Sequence, residues 1–200
     1  MLKRRLPATK RRDEIVRVAL DLAAQRGTDR VTTQDMANAM GLTQGAIFRH
    51  FATKDDIWLA VIDWIRGEVM ERVEAAGSEG KGPLDALERM FYAHAGFIRQ
   101  YPGVPRLMFS DLIHSQNPAL KGRIQRILAG YETKLVALLT EAQLRGLADE
   151  NLDVQGAAAL FIGMVQGLAI RASILGPEQD VEAQARKVFA VFLNGVRARP

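Results

Sequence analysis

The chain has 200 residues, 48% of them hydrophobic and 25% charged, which is enough to bury a globular core and too apolar for a disordered chain. It contains no cysteine, which excludes disulfides and thiolate metal sites and suits a reducing cytoplasm. The net charge of +4 is unevenly spread: residues 1–54 hold eleven Lys/Arg against five Asp/Glu, and residues 55–200 hold sixteen against eighteen. A basic end of this kind attracts nucleic acid or acidic membrane, and charge alone does not choose between them.

The opening stretch MLKRRLPATKRRDE is basic, but no apolar run or small-residue cleavage site follows it, so it does not read as a signal peptide. The next segment, RRDEIVRVALDLAAQRG, predicts a helix with an apolar stripe of Ile15, Val18, Ala19, Leu22 and Ala23. Asp13 and Glu14 suit its first turn, Arg26 its last, and Gly27 its stop. A second helix follows in TTQDMANAM, with Thr32 as N-cap and Asp35 three residues on, the spacing of a capping box. Met36, Ala37 and Met40 face inward, and Gly41 ends it. Thr43 is placed to cap a third helix, QGAIFRHF, where Ile47 and Phe51 share one face.

Thr53 and Asp56 repeat the cap before a long helix whose inward set is Ile57, Val61, Ile62, Ile65 and Val69. GSEGKGP, residues 77–83, is the one linker-like stretch. Pro83 then opens a helix carrying Leu84, Leu87, Phe91, His94 and Ile98, which YPGVP breaks. RLMFSDLIHSQ is a short helix or irregular segment. Asn117 and Pro118 start a long amphipathic helix with Leu120, Ile124, Ile127, Tyr131, Leu135 and Leu138 inward. Two last helices run from about Asp153 to Leu175 and from Pro177 to Val196. The most apolar stretch, residues 157–170, is short for a span of about 20 residues and contains Gln166, so it predicts a buried soluble helix and no membrane span. With no alternating strand pattern, repeat or low-complexity tract, the chain is all-α, and its organisation is a small helical domain over 1–54 and a larger one over 55–200.

Three short helices with a glycine turn between the second and third fit a helix-turn-helix, whose last helix enters the DNA major groove. Gln44 can bond adenine at two points, and the Ala46 methyl can touch a thymine methyl. Gly45 lets the backbone approach closely, Thr43 can bond a phosphate or a base, and Arg49, His50 and Lys54 suit phosphates. Lys3, Arg4, Arg5, Lys10, Arg11 and Arg12 could extend along the backbone or into a minor groove. Thr43 and Thr53 would cap helices with or without DNA, so it is the coincidence of basic end, short helices and polar exposed positions that points to DNA.

Across RGTDRVTTQDMANAMGLTQGAIFRHFATKDDIWLAVI the chain resembles the TetR (tetracycline repressor) family of bacterial regulators. The matching positions are Gly27, Thr32, Met36-Ala37, Gly41-Leu42-Thr43, Gly45, Ile47-Phe48, Phe51 and Lys54 with its two following acids. Phe48 stands where the family usually has tyrosine, which removes a phenol that would bond phosphate. Met40 replaces a small alanine, which alters packing under the turn. The resemblance implies a repressor, with DNA contacts drawn from Thr32, Thr33, Thr43, Gln44, Gly45, Ala46, Phe48, Arg49, His50 and Lys54.

It also implies dimerisation through the last two helices. One seam there holds Gly156, Ala159, Gly163, Gly167 and Ile170, and a second holds Val181, Ala185, Val188, Phe192 and Val196; the alternative is a purely internal core. A symmetric dimer would meet a palindrome with half-sites about 34–36 Å apart. The middle helices would hold a small-molecule effector, and Phe91, His94, Phe97, Met108, Phe109, His114 and Tyr131 offer the apolar mix such a site needs. Effector binding would then release DNA by moving the two reading heads apart.

Two other function classes compete. Ser110, Asp111 and His114 in SDLIH echo a hydrolytic trio, but adjacent Ser and Asp on a helix point about 100° apart, and no metal spacing, cofactor motif or phosphate-binding glycine loop is present. Catalysis and a cofactor are therefore not expected. A helical protein-interaction adaptor would leave the basic end and the polar third helix unexplained.

Overall fold

A computed structural model describes residues 7–108, 117–176, 178 and 180–198. Among these the regular structure is helical, apart from one isolated bridge between Ala148 and Arg197. The described residues up to Arg66 and those between Arg106 and Ile124 form one compact unit; those from Gly67 to Pro105 and from Gln125 onward form another. The expected boundary at residue 54 lies inside the first unit, where the fourth helix starts.

Helix α1 spans Ala8–Arg26. It begins before the charged pair, so Asp13 and Glu14 lie beyond its first turn. Its buried stripe is Ile15, Val16, Ala19, Leu20 and Ala23, while Val18 and Leu22 are half-buried at the margin. Residues 15, 19 and 23 belong to both readings, because periodicity locates an apolar face only to within about a residue. Gly27 closes α1 at φ 83°, a conformation that favours glycine.

Helix α2, Thr33–Met40, starts on a complete capping box. Thr32 Oγ1 accepts from the Asp35 amide at 3.1 Å, and Asp35 Oδ2 accepts from the Thr32 amide at 2.8 Å. Gly41, at φ 61°, ends it in the left-handed region. Helix α3 covers Gln44–Phe48, and helix α4 covers Lys54–Ser78 with Thr53 and Asp56 exchanging bonds at its start. Met36, Ile47, Phe51, Ile57, Val61 and Ile62 are buried in this unit.

Helix α5 spans Pro83–Gln100, α6 spans Gly103–Arg106, and α7 spans Pro118–Leu144. Helices α8, Val154–Leu175, and α9, Val181–Val196, pack on α5 and on each other. Asp180 caps α9, accepting from the Ala183 amide at 2.9 Å, so that helix begins later than the sequence reading places it. Phe91 of α5 sits in an aromatic cluster with Phe161 at 5.2 Å and Phe189 at 5.3 Å between ring centroids. By length and composition α8 is the single helix among the described residues able to cross a membrane, with a mean hydropathy of 1.7. Its expected burial holds on one face only: Ala158, Phe161 and Val165 are inside, whereas Leu160, Ile170 and Ile174 are exposed.

Candidate nucleic-acid interface and C-terminal surfaces

Five residues are too few for α3 to be stable alone, so its neighbours must hold it. Ile47 and Phe51, both buried, anchor its underside. At its N-terminal end Gln44 Nε2 donates to Thr33 Oγ1 at 2.8 Å. Beyond its C-terminal end the Arg12 guanidinium donates to the His50 carbonyl and lies 4.0 Å from the Phe51 ring centroid. The helix is thereby fixed to α1 and α2 and turns Thr43, Gln44, Gly45, Phe48 and Arg49 outward, with Ala46 and His50 half-buried.

The expected DNA contacts fall into distinct environments. Thr32 is exposed but engaged in the α2 cap, which with Arg26 nearby holds the Asp35 carboxyl below its ordinary range; the Thr32 hydrogen bonds are the main cause. Thr33 is buried, only 7% exposed, and its hydroxyl meets Gln44. That placement does not match a direct DNA contact. Thr43 occupies the N-cap of α3, yet its side chain makes no capping bond.

A Cβ added at Gly45 would meet nothing within 4 Å, so the fold itself leaves room there for a side chain. Phe48 exposes 45% of its surface. Lys54 is half-buried and uses one of its three donors on the Thr28 carbonyl at 3.2 Å. In the basic N-terminal stretch, Arg11 pairs with Glu14 and Arg12 holds His50, while Lys3, Arg4 and Arg5 lie outside the described residues. The role of Arg12 escaped the sequence reading because 38 residues separate it from His50.

In the second unit the structure brings together four of the expected effector residues, Phe91, His94, Phe97 and Tyr131. Met108 belongs to the first unit, and Phe109 and His114 lie outside the described residues. The His94 and Tyr131 rings are 5.8 Å apart, with Phe97 6.5 Å from His94 and Phe161 6.2 Å from Tyr131. His94 Nδ1 and the Tyr131 hydroxyl are buried without a hydrogen-bond partner among the described residues. Burial lowers the His94 pKa to about 4 and raises that of Tyr131, so both are neutral near pH 7. Phe91 is fully buried in the aromatic cluster, and Phe161, which the sequence reading passed over, completes that wall.

The outward face of α8 carries Gly156, Ala159, Gly163, Gly167 and Ile170, together with Leu160 at 56% and Ile174 at 75% exposure. On α9 the structure corrects the sequence reading. Val181, Ala185 and Phe192 are buried in the chain's own core, Val188 is half-buried, and the exposed residues include Val191 and Gly195. A groove of about 610 Å³ runs between the two helices, lined by Gly156, Leu160, Met164, Val188, Val191 and Gly195 among others.

Residues 15–61 match the family described as bacterial regulatory proteins, tetR family. The nucleoid occlusion factor SlmA of Vibrio cholerae is 28% identical over 158 residues, 78% of this chain and 81% of that protein. The fatty acid degradation regulator FadR of Bacillus halodurans shares the fold at a TM-score of 0.85 and 21% identity, over 98% of this chain and 100% of its own. FadR of Bacillus subtilis, solved in complex with stearoyl-CoA, does so at 0.83 and 23% identity, over 92% and 99%. Regulators of this family are not enzymes. The matched helix-turn-helix over residues 15–61, with its third helix held by its neighbours, is therefore the DNA-binding end of a bacterial regulatory protein of the tetR family, on a chain whose fold is shared with TetR transcriptional regulators.

Proposed function

We propose that the protein is a cytoplasmic repressor that binds a palindromic operator as a homodimer and is released by a small, largely apolar effector. The observation that carries the DNA part is the surface of α3. A five-residue helix held at both ends presents Thr43, Gln44, Gly45, Phe48 and Arg49 to solvent. Gln44 reads a base edge, Ala46 and Phe48 offer apolar contact to thymine methyls, and Thr43, Arg49, His50 and Lys54 meet phosphates. Gly45 supports this division. Glycine inside a helix costs about 0.5–1 kcal/mol relative to alanine, and open space over its Cβ position leaves the fold no reason for it. Close approach of a DNA backbone supplies one.

Dimerisation rests on the outward face of α8, where small residues flank exposed Leu160, Ile170 and Ile174 beside the α9 groove. A second copy covering this face would form a four-helix bundle. The effector reading rests on the two neutral polar atoms of His94 and Tyr131 that have no partner among the described residues and lie among aromatic rings, which suit an apolar molecule with one uncharged hydrogen-bonding group. The stearoyl-CoA bound to Bacillus subtilis FadR shares only its long acyl chain with such a molecule, since its coenzyme A group is charged. Such an effector acts only to the extent that it binds the DNA-free form more tightly.

Selection of random duplex DNA on the purified protein at near-physiological salt tests the reading. A recovered palindrome with half-site centres about 34–36 Å apart, or a multiple of that, is the expected result. On that palindrome, Gln44→Ala should cost about 1–3 kcal/mol at one base pair. Recovery of unrelated, salt-labile sequences would overturn the operator reading and favour a protein-interaction adaptor. A thermal-shift screen in which only highly charged small molecules bind would count against the apolar effector.

A further inference from the structure

Two threonines stand side by side at the start of α2, and the structure gives them different work. Thr32 caps the helix through its reciprocal bonds with Asp35. Thr33 makes no part of that cap. It is only 7% exposed, while Thr32 and Gln34 on either side are exposed, so its hydroxyl does not lie on the surface that would face DNA. A buried hydroxyl needs a partner, and the one the structure supplies comes from another helix: Gln44 Nε2, at 2.8 Å.

We infer that Thr33 is a positioning residue for sequence reading, its buried hydroxyl holding the Gln44 amide in place for a base edge. The inference rests on Gln44 being a base reader, as proposed above. Glutamine has several rotatable bonds, and an exposed one loses that freedom when it binds a base. The Thr33 bond removes part of the freedom beforehand. It also leaves the right groups over. The amide nitrogen carries two hydrogens; with one on Thr33, the other N–H and Oε1 remain, a donor beside an acceptor. That pair complements N7 and the N6 amino group of adenine. The neighbouring Gln34 does not compete for Thr33, since its own amide donates to Asn38 Oδ1 at 2.7 Å.

The test compares the full-length protein with Thr33→Val, Thr33→Ser, Gln44→Ala and the Thr33→Val/Gln44→Ala double variant. Each is titrated on the selected operator, on operators altered at the base pair that Gln44→Ala identifies, and on unrelated duplex at several salt concentrations. Because the readout is a ratio of affinities for two duplexes, partial unfolding of a variant does not distort it.

Thr33→Val should lower discrimination at that base pair by about threefold to tenfold, the worth of one hydrogen bond, with affinity for unrelated DNA and the salt slope unchanged. Thr33→Ser, which keeps the hydroxyl, should restore discrimination. In the double variant Thr33→Val should add nothing to Gln44→Ala at that position. Full discrimination by Thr33→Val would overturn the inference while a Gln44→Ala effect leaves the base-reader proposal standing. An equal loss on all duplexes would also overturn it, by making Thr33 a backbone or folding residue. If Gln44→Ala itself leaves base preference intact, the base-reader proposal fails, and the role inferred for Thr33 fails with it.

Discussion

At α3 the exposed side chains are Thr43, Gln44, Phe48 and Arg49 around an open Gly45; on α8 and α9 the exposed ones include the aliphatic Leu160, Ile170, Ile174 and Val191 among glycines and alanine. Both regions use glycine on an exposed helix, where it weakens the helix and where a side chain would meet no clash at Gly45, Gly163 or Gly167. What surrounds the glycines separates the two. At α3 all but Phe48 are polar, and α2 holds Gln44 in place, as suits a surface that matches the donors and acceptors of a base. On α8 Leu160, Ile170 and Ile174 are aliphatic, as suits a face that excludes water against another helix. Small residues on a helix thus indicate that something comes close, and the side chains between them indicate its chemistry.

The hardest break of this comparison is Leu160→Glu. If the α8 face pairs with a second copy, a carboxylate there should cost on the order of 3–5 kcal/mol of dimer stability, read as a shift to monomer by sedimentation or size exclusion. Operator binding should fall with it while the helical circular dichroism signal persists. An unchanged oligomeric state would place the α8 face outside any interface.

Acid should separate the units by window, both losing stability as pH falls. His94 has its folded pKa lowered from 6.5 to about 4, so the unfolded chain takes up the proton first and stability declines as pH falls from about 6.5 to 4, by at most about 3 kcal/mol for a residue that is half-buried as a whole. His94→Leu should flatten that decline in melting temperature. Asp35, whose pKa is depressed, acts lower. The α2 cap is intact above the ordinary aspartate pKa of 3.8 and is lost as pH falls through the folded value. Loss of the reading head's helical signal should therefore follow the His94 transition, and the reverse order would contradict this assignment.

Smaller effects sharpen the contrast at α3. Gly45→Ala should raise the melting stability by about 0.5–1 kcal/mol, because the new methyl meets open space, and weaken operator binding about tenfold by crowding the DNA. A gain in both would remove the argument for close approach. Smallest is Lys54→Ala, which should weaken binding to all duplexes alike and reduce the salt slope by about 1. Since Lys54 also holds the Thr28 carbonyl, its stability should be measured alongside.

The sequence alone determined an all-helical chain, both α2 and α4 caps and the helix-turn-helix, because these depend on contacts within a few residues and on the 3.6-residue period. It also placed the α8 glycines on one face, which the structure turns outward. The tertiary structure alone decided which chain covers an apolar stripe. The α9 set of Val181, Ala185 and Phe192 reads as a seam in sequence, and periodicity cannot say whether its partner is the same chain or another; burial against the chain's own helices answers that. Likewise nothing local marks Thr33 as the partner of Gln44 or Arg12 as the holder of His50. Those bonds span 11 and 38 residues, and only the docking of α1, α2 and α3 brings their atoms within reach.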